Sequence, residues 1–477
     1  MTAPPYPPGF THLHVHSHFS LLGATASPAE LAQQASADGL TSLALTDRDA
    51  LYGAVVFDRA CRAAGIRPIL GMTVGVAPLS ELDAGDGLGA GLLVLLATGP
   101  VGYRSLCRLS SAIQAHPDRV ERSTRGLDWD TLKAHRDGLI CLSGGRRVWI
   151  ERHLRADNRG AAVRHAGLLA GLYDQQTWLA LEVHRPEDQT IAAEIAAIGQ
   201  RFGIPAVAVQ PVYTLARQDR TRLKLLAAID QNCHLDETPR RVLADGGDAA
   251  IDLHWLKPDE VAARFVATPE ALQAAADIAA ACQPAIPDGR PIWPALKLKP
   301  GNTPDTALAE AATAGLQRRF GQDPGAAPQA RLQRELTAIA HHGFSPLFLL
   351  VADVVRYARE NSIPVSTRGS VANSLVAYCI EITTVDPLEH DLLFERFLNP
   401  ARRNPPDIDL DFCSRRRDRV LAYVRDTYGE EHVALVATIS TMRPKSAVRA
   451  TAKAFGLSEE AAGRLARLAP SRWHPDP

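Results

Sequence analysis

Short apolar runs alternate with amphipathic, alanine-rich stretches through the first part of the chain. The apolar runs fall at 41–46, 67–71, 92–97, 138–143, 178–182 and 205–209. The helical stretches between them include 28–38, 53–64 and 191–202. Strands that alternate with helices are typical of βαβ units. The pattern therefore predicts an α/β fold with a largely parallel sheet or barrel over roughly the first 215 residues.

A different pattern follows this region. Residues 219–285 are predicted to be largely helical, and five prolines between 284 and 300 then break regular structure. Three amphipathic helices are predicted beyond them, at 303–319, 329–342 and 347–361. We therefore expect one domain over 1–285, with a helical C-terminal extension, and a second domain over 286–477.

Composition and charge narrow the classes of protein. The chain has 52 Lys and Arg against 53 Asp and Glu, a net charge of −1, so a nucleic-acid surface would have to be a local basic patch. The seven cysteines are scattered without a CxxC pair, which predicts a reducing, cytoplasmic location and argues against a zinc ribbon. No apolar run reaches the length of a membrane helix, and the N-terminus lacks the pattern of a signal peptide.

The most informative motif is the acidic segment PDIDLDF at 406–412. On a strand, Asp407, Asp409 and Asp411 share one face and the apolar residues between them share the other. Adjacent carboxylates repel each other unless a cation lies between them, and Mg²⁺ takes a few carboxylate oxygens together with substrate phosphates. The alternative is a solvated edge strand whose outward residues are acidic.

Residues upstream favour the metal-binding alternative. Arg368, Gly369 and Ser370 form an Arg-Gly-Ser sequence, and Arg396 follows them. A Gly-Ser turn offers backbone N–H groups and a hydroxyl to a phosphate, and arginine binds phosphate through two hydrogen bonds. Together with the acidic strand, these residues predict a phosphoryl- or nucleotidyl-transfer site.

Three consecutive segments, 331–365, 366–412 and 418–457, resemble the palm of C-family bacterial DNA polymerases. The central segment reads STRGSVANSLVAYCIEITTVDPLEHDLLFERFLNPARRNPPDIDLDF. The resemblance implies an α+β palm of the nucleotidyltransferase kind that adds dNTPs to a primer 3′-hydroxyl with two Mg²⁺ ions. Ser366 and Thr367 replace a glycine-rich lead-in, which is more similar to the error-prone, lesion-tolerant branch than to the replicative one.

The resemblance also implies roles for single residues. Asp407 and Asp409 match the catalytic, metal-binding aspartates, and Asp411 matches a supporting acidic position. The residues that would hold the triphosphate of the dNTP are Arg368, Gly369, Ser370, Arg396 and Lys445. Lys445 lies with Arg449 in a stretch that resembles a basic helix beside the active site, and a solvated helix face is the alternative.

Four histidines alternate near the N-terminus, at 12, 14, 16 and 18. His-x-His pairs at strand ends often bind Zn or Mn. Most of residues 10–215 resembles the polymerase-and-histidinol-phosphatase (PHP) domain, a distorted seven-stranded β/α barrel that opens C-family polymerases. Active members hold up to three metals and hydrolyse phosphoesters.

The ligand set of that domain is eroded in this sequence. The replaced positions include Gly23, Arg48, Thr73, Gly145, Pro211 and Tyr213. The resemblance therefore implies a structural PHP domain, in which no Zn or Mn is expected. The alternative is a residual single metal on His14 and His16, with Asp47 or His184.

The two-metal mechanism of the polymerase family needs a third aspartate, and no acid after Asp411 lies in a matching context. We therefore expect a chain that is inactive or weak alone and that works with a second polypeptide carrying the rest of the polymerase. The resemblance implies primer-template DNA as substrate, and a sliding clamp and a proofreading subunit as partners. Two other functions stay open, a PHP-type metal-dependent phosphoesterase and a non-enzymatic replisome scaffold.

Overall fold

Six strands form one sheet in chain order in a computed structural model, which describes residues 10–79, 89–118, 124–143, 145–399 and 405–469. They are β1 (Ser42–Leu45), β2 (Arg67–Val76), β3 (Gly91–Ala97), β4 (Leu139–Leu142), β5 (Thr177–Leu181) and β6 (Ala206–Ala208). Each strand falls on a predicted apolar run. The pairs β1–β2, β4–β5 and β5–β6 are parallel, whereas β3 runs antiparallel to both neighbours, so the sheet is mixed.

The extended segment 12–16 closes this sheet towards a barrel. On one side it accepts backbone hydrogen bonds from Ala44 and Thr46 of β1. On the other side it exchanges two backbone hydrogen bonds with Val212, which follows β6. Because β1 and β6 are the edge strands of the sheet, the segment acts as a seventh strand and carries its histidines into the buried interior.

Burial explains the sequence pattern of the sheet. All seven residues of β3 are buried, as expected for a strand covered on both faces. The helices of this region are α1 (Pro28–Ala37), α2 (Ala54–Ala63), α3 (Pro100–Gln114), α4 (Trp129–Ala134), α5 (Trp149–Arg155), α6 (Arg159–Tyr173), α7 (Asp188–Phe202), α8 (Arg220–Asp230), α9 (Pro258–Arg264) and α10 (Pro269–Ala281). Local signals set their ends: Ser27 and Glu30 form a capping box at α1, and Gly203, with φ +68°, ends α7.

A smaller α+β arrangement follows the proline-rich passage. Its helices are α11 (Pro304–Phe320), α12 (Ala326–His341), α13 (Ser345–Glu360), α14 (Leu375–Cys379) and α15 (Arg417–Tyr428). Two short strands, β7 (Val365–Arg368) and β8 (Asp409–Phe412), pair antiparallel. The three predicted amphipathic helices are confirmed as α11 to α13, with ends that differ by a few residues.

By its contacts the chain divides into two compact units, Met1–Asp288 with Thr441–Pro477, and Gly289–Ser440. The last helices, α16 (Pro444–Ala454) and α17 (Glu459–Leu468), therefore group with the first unit. There α16 packs against α8, and Lys453 Nζ donates to Asn232 Oδ1 at 2.7 Å. The predicted border at 286 stays a prediction, but these two helices do not group with the unit to which the sequence assigns them.

Within the described part of the chain, no single helix is long and apolar enough to cross a membrane. The consecutive helices α12 and α13 pass the same length and composition test only as a pair, and they are bent by 111° relative to each other.

Candidate active site

The acidic segment lies with its carboxylates exposed and its apolar side chains packed. Asp407, Asp409 and Asp411 are exposed, and Asp407 lies two residues before the start of β8. Between them, Ile408 and Leu410 pack against the core of the second unit. The predicted alternation of faces is therefore present, although the strand itself begins at Asp409.

Strand pairing brings the Arg-Gly-Ser sequence to this acidic face. Arg368 lies directly opposite Asp409, and Ser366 lies opposite Asp411. The Arg368 guanidinium reaches diagonally to Asp411, with Nε 2.5 Å from Oδ2 and Nη2 2.8 Å from Oδ1. The two side chains are 72% and 49% exposed, so the ion pair is weak enough to be exchanged for another partner.

Gly369 makes the close approach that a turn at this place needs. Its φ of +84° lies in the left-handed region, which favours glycine. A β-carbon added there would lie 3.5 Å from Asp409 Oδ2, so the turn lies directly against that carboxylate. Ser370 follows and begins a short 3₁₀ turn that leads into α14. The structure therefore brings Arg368, Gly369 and Ser370 together with Asp409.

A buried carboxylate that sequence reasoning missed supports this turn. Glu335 of α12 is fully buried and accepts hydrogen bonds from Ser374 Oγ at 2.9 Å and from Val376 N at 3.1 Å. Arg331 Nε donates to the same carboxylate at 2.6 Å, and its Nη2 donates to the carbonyls of Asn373 and Leu392. Burial raises the pKa of Glu335, and these donors oppose that rise. The i,i+4 spacing of Arg331 and Glu335 was the only sequence signal, and it is also typical of a solvated helix face.

The other two predicted phosphate-binding residues, Arg396 and Lys445, are both exposed. Arg396 ends a short 3₁₀ turn, Phe394–Arg396, and is exposed, with no ion pair to any described residue. Lys445 is exposed on α16, which belongs to the other compact unit. The roles of both residues in holding a triphosphate stay predictions.

The carboxylates of Asp407 and Asp409 fit a divalent cation that binds together with a substrate. Asp407 and Asp409 offer two exposed carboxylates, and Mg²⁺ usually takes one or two carboxylates and completes its shell with water and phosphate oxygens. Among the described residues no group of three or more His, Cys, Asp or Glu side chains forms a ready-made metal cage. The arrangement therefore fits a metal that arrives with a phosphate ligand.

The histidine pair of the barrel lies in a separate, buried hydrogen-bond network. His14 Nε2 lies 3.1 Å from His16 Nε2, and His16 Nδ1 lies 2.8 Å from Ser20 Oγ. Ser20 and Ser17 donate to the Asp47 carboxylate at 2.7 to 2.8 Å. Because Ser20 gives its proton to Asp47, His16 must donate from Nδ1, and His14 must donate from Nε2 to His16. This assignment holds for neutral imidazoles, and burial, which lowers the pKa of both histidines, keeps them neutral near pH 7.

The barrel residues do not fit a metal of the PHP kind. Asp47 accepts hydrogen bonds from the two serines, and Thr73, whose Oγ1 lies 3.4 Å from His16 Nε2, offers a hydroxyl and no carboxylate. The positive charge of Arg48 lowers the pKa of His16 in addition to the larger effect of burial. At Gly145, with φ +60°, a β-carbon would overlap the Glu182 carboxylate, so this arrangement has no room for a ligand side chain there. Among the described residues, no further His, Cys, Asp or Glu joins this pair in a group of three that could hold a metal ion, and the Arg48 cation acts on the same histidines.

Acid is expected to destabilise the first unit. Burial lowers the pKa of His12 and of His14 from 6.5 to about 4. Since the folded-state pKa lies below the unfolded value, the unfolded chain takes up protons first, and stability falls as the pH drops from 6.5 to about 4. Each histidine contributes about 3 kcal/mol to this loss. Burial raises the pKa of Asp47 to about 6, which offsets part of the loss.

The measurement is the free energy of unfolding in urea at pH 7.5 and pH 4.5, followed by tryptophan fluorescence. The matched variant is His12→Gln, because a glutamine amide can replace the donor that His12 Nε2 gives to Leu256 O at 2.9 Å without titrating. The pH-dependent loss should shrink by about 3 kcal/mol in this variant. An unchanged pH dependence of the free energy of unfolding would contradict the contribution assigned to His12.

Comparison with known proteins matches both parts of the chain. The model of the bacterial DNA polymerase III alpha NTPase domain matches residues 306–476, and the PHP domain model matches residues 12–185. DNA polymerase III subunit alpha of Bacillus subtilis is 37% identical over 465 residues, which cover 97% of this chain and 40% of that protein. Error-prone DNA polymerase of Symbiobacterium thermophilum is 38% identical over 487 residues, which cover 98% and 42%.

Solved structures match more weakly. An amidohydrolase from Chromobacterium violaceum with bound sulfate and no metal is 16% identical over 43% of this chain and 87% of its own, with a TM-score of 0.28, which is too low to support an argument. The predicted α/β class with an N-terminal PHP domain is confirmed by the PHP model match and by the strand order. The chain spans about 40% of the length of the curated relatives that it matches.

Proposed function

The chain belongs to the family of bacterial DNA polymerase III alpha subunits and error-prone DNA polymerases, and from that premise we propose that its second unit carries the nucleotidyl-transfer site of a DNA polymerase. One observation carries the proposal: the pairing of β7 with β8 sets the Gly369 turn directly against the Asp409 carboxylate. A phosphate-binding turn next to exposed acids is the combination that a metal-bound triphosphate needs.

Asp407 and Asp409 hold the metal in this proposal. When bound, Mg²⁺ supplies Lewis acidity to the primer 3′-hydroxyl and neutralises charge on the triphosphate. The Gly369 and Ser370 N–H groups and the Ser370 hydroxyl orient the triphosphate. Because Asp409 lies opposite Arg368 on the strand pair and the Gly369 turn follows Arg368 directly, backbone hydrogen bonds fix where the Asp409 backbone lies relative to the turn.

Arg368 exchanges its partner when the triphosphate binds. In the structure it is paired with Asp411, and this exposed pair contributes about 0–1 kcal/mol. A bidentate contact with phosphate is a stronger, charge-assisted interaction. Arg396, which belongs to the same unit, joins the basic set in this proposal.

The substrates and partners of the whole protein are part of the proposal, since the chain spans about 40% of its relatives. They are primer-template DNA, the four dNTPs, a polypeptide carrying the remaining length, a sliding clamp and a proofreading subunit, in the cytoplasm. The PHP domain is assigned a structural role. Identities of 37% and 38% to a replicative and an error-prone relative do not separate the two branches.

Binding of a non-hydrolysable dNTP to the purified chain tests this site without any further polypeptide. Calorimetric titration with Mg²⁺ should show binding that is lost in EDTA and weakened by about tenfold in Ser370→Ala. The matched control is Ser446→Ala on α16 (Pro444–Ala454), an exposed serine outside the proposed site. Binding that is equal with Mg²⁺ and EDTA, or no binding at all, would contradict the proposal.

A further inference from the structure

A cavity of about 320 Å³ lies in the first unit and is lined by residues of the barrel and of the segment 240–253. Five arginines and three acids line it, together with the apolar side chains of Pro211, Ile251 and Leu253. Pockets that hold small molecules usually have a volume of about 300–1,000 Å³ and combine apolar walls with a few polar groups. The cavity is therefore large enough for a ligand of the size of a mononucleotide.

Two hydrogen-bond acceptors lie in the deep part of this cavity. His14 is 3% exposed, and its Nδ1 has no hydrogen-bond partner among the described residues. Because His14 donates from Nε2 to His16, its Nδ1 carries a lone pair. Glu182 is 6% exposed, and its only hydrogen bond to a described residue comes from His184 Nε2 at 3.4 Å. Buried acceptors are normally paired with donors, so this region favours a ligand that donates N–H groups.

The two acceptors lie close enough to act on the same ligand. Burial lowers the pKa of His14 to about 4, and the negative charge of Glu182 opposes this effect. His184 fixes the position of the Glu182 carboxylate, because its Nδ1 accepts from Asp252 N at 3.3 Å and leaves Nε2 as the donor. The deep part of the cavity thus presents a carboxylate and an imidazole lone pair side by side.

Two arginines of the lining lie nearer to the solvent. Arg155 is 28% exposed and is held by the buried carboxylates of Glu151 at 2.6 Å and Asp188 at 2.9 Å, whereas its Nη1 makes no hydrogen bond to a described residue. Arg240 is exposed, donates from Nε to Gly246 O at 3.1 Å and forms no ion pair with a described residue. Both guanidinium groups therefore keep N–H donors for an anion, and arginine binds phosphate with strong, charge-assisted hydrogen bonds.

These three features together select the ligand. Deep acceptors require a group with adjacent N–H donors, the apolar walls favour a flat ring, and the outer arginines favour a phosphate. Guanine carries its N1–H and its N2 amino group side by side, whereas adenine places the acceptor N1 beside its amino group. An acceptor nitrogen that faces the Glu182 carboxylate would be repelled.

We propose that this cavity binds a guanine nucleoside monophosphate. The base donates to Glu182 and His14. The phosphate accepts from Arg155 and Arg240. The cavity belongs to the first unit, so this site is separate from the proposed nucleotidyl-transfer site of the second unit. It goes beyond the proposed function and requires neither a metal ion nor a triphosphate.

Calorimetric titration of the full chain in EDTA tests the ligand class. The probes are GMP, IMP, AMP and inorganic phosphate. GMP should bind most tightly, and IMP, which lacks the 2-amino group, should bind on the order of tenfold more weakly. AMP should bind more weakly than IMP, because it has neither donor of guanine at the same position. Inorganic phosphate contacts only the arginines and should be the weakest of the four.

Variants of the lining test the placement of the ligand. Arg240→Gln should weaken GMP binding by about tenfold, because a charge-assisted hydrogen bond is lost. The matched control is Arg241→Gln, since Arg241 is the exposed neighbour and does not line this cavity. Glu182→Gln replaces one acceptor with a donor and should abolish the preference for GMP over AMP. Circular dichroism checks its fold, and the exposed Arg240 variant decides the placement if the buried variant does not fold.

The proposal is overturned if the wild type does not bind GMP, if it binds GMP and AMP equally, or if inorganic phosphate binds as tightly as GMP. Equal binding of GMP by Arg240→Gln and Arg241→Gln would also overturn it. Because the assay contains neither Mg²⁺ nor a dNTP, failure of the nucleotidyl-transfer site leaves its outcome unchanged.

Discussion

Replacing Asp407 or Asp409 with asparagine is expected to lower the rate of primer extension by about a thousandfold. Asparagine has nearly the same shape as aspartate but carries no charge, so it weakens the hold on a divalent cation while it leaves the strand in place. Both side chains are exposed, and neither forms an ion pair with a described residue, so the fold loses little. The loss should therefore be in catalysis and not in stability.

The neighbouring carboxylates provide the controls for this prediction. Asp411→Asn should cost far less, about tenfold or below, because Asp411 is engaged with Arg368 and is not required to bind the metal. Asp418→Asn, at an 88% exposed position in the first turn of α15, should have no effect. Rates of primer extension by this chain, together with a polypeptide that carries the remaining length of its relatives, are compared under single-turnover conditions across a Mg²⁺ titration. Equal losses for Asp407→Asn and Asp418→Asn would rule out the assigned role of Asp407.

Replacing Glu335 with alanine is expected to destabilise the second unit by about 3–5 kcal/mol. The change leaves the partly buried Arg331 side chain without its counter-ion and removes the acceptor of Ser374 Oγ and Val376 N. Glu335→Gln should cost less, since one carbonyl oxygen remains to accept. The turn after Gly369 should loosen in both variants, because Arg331 also binds the carbonyl of Asn373.

Hydrogen exchange of peptides from 326–399 measures this effect locally, and urea unfolding measures it globally. The matched control is Glu360→Ala, which removes an exposed i,i+4 partner of Arg356, both 59% exposed, and should change stability by about 0.5 kcal/mol or less. If Glu335→Ala were as mild as Glu360→Ala, the turn would not depend on the buried carboxylate.

Local periodicity was enough to place the elements and the acidic face. The apolar runs predicted all six strands of the barrel sheet, because a strand that is buried on both faces has an almost continuous run of apolar residues. Alternation alone placed Asp409 and Asp411 on the exposed face of β8. The antiparallel direction of β3 was not predicted, since strand direction depends on pairing between distant segments.

Contacts between distant segments account for the rest of the site. The register that sets Arg368 against Asp409 joins residues about forty positions apart, and no local pattern contains it. Glu335 was missed because a glutamate four residues after an arginine is usually a solvated pair. In the barrel, the sequence indicated which positions of the expected ligand set were replaced. It did not indicate that Ser17 and Ser20 donate hydrogen bonds to the Asp47 carboxylate.

Template-dependent incorporation of dNTPs is the most direct test of the central claim, that β7, β8 and the Gly369 turn form a nucleotidyl-transfer site. A primed template is incubated with Mg²⁺, the four dNTPs and this chain, alone and with a polypeptide that carries the remaining length of its relatives. The account predicts incorporation that requires this chain, Mg²⁺ and the template, and that Asp407→Asn abolishes. Incorporation that is the same when this chain is omitted, or none in any combination, would contradict it.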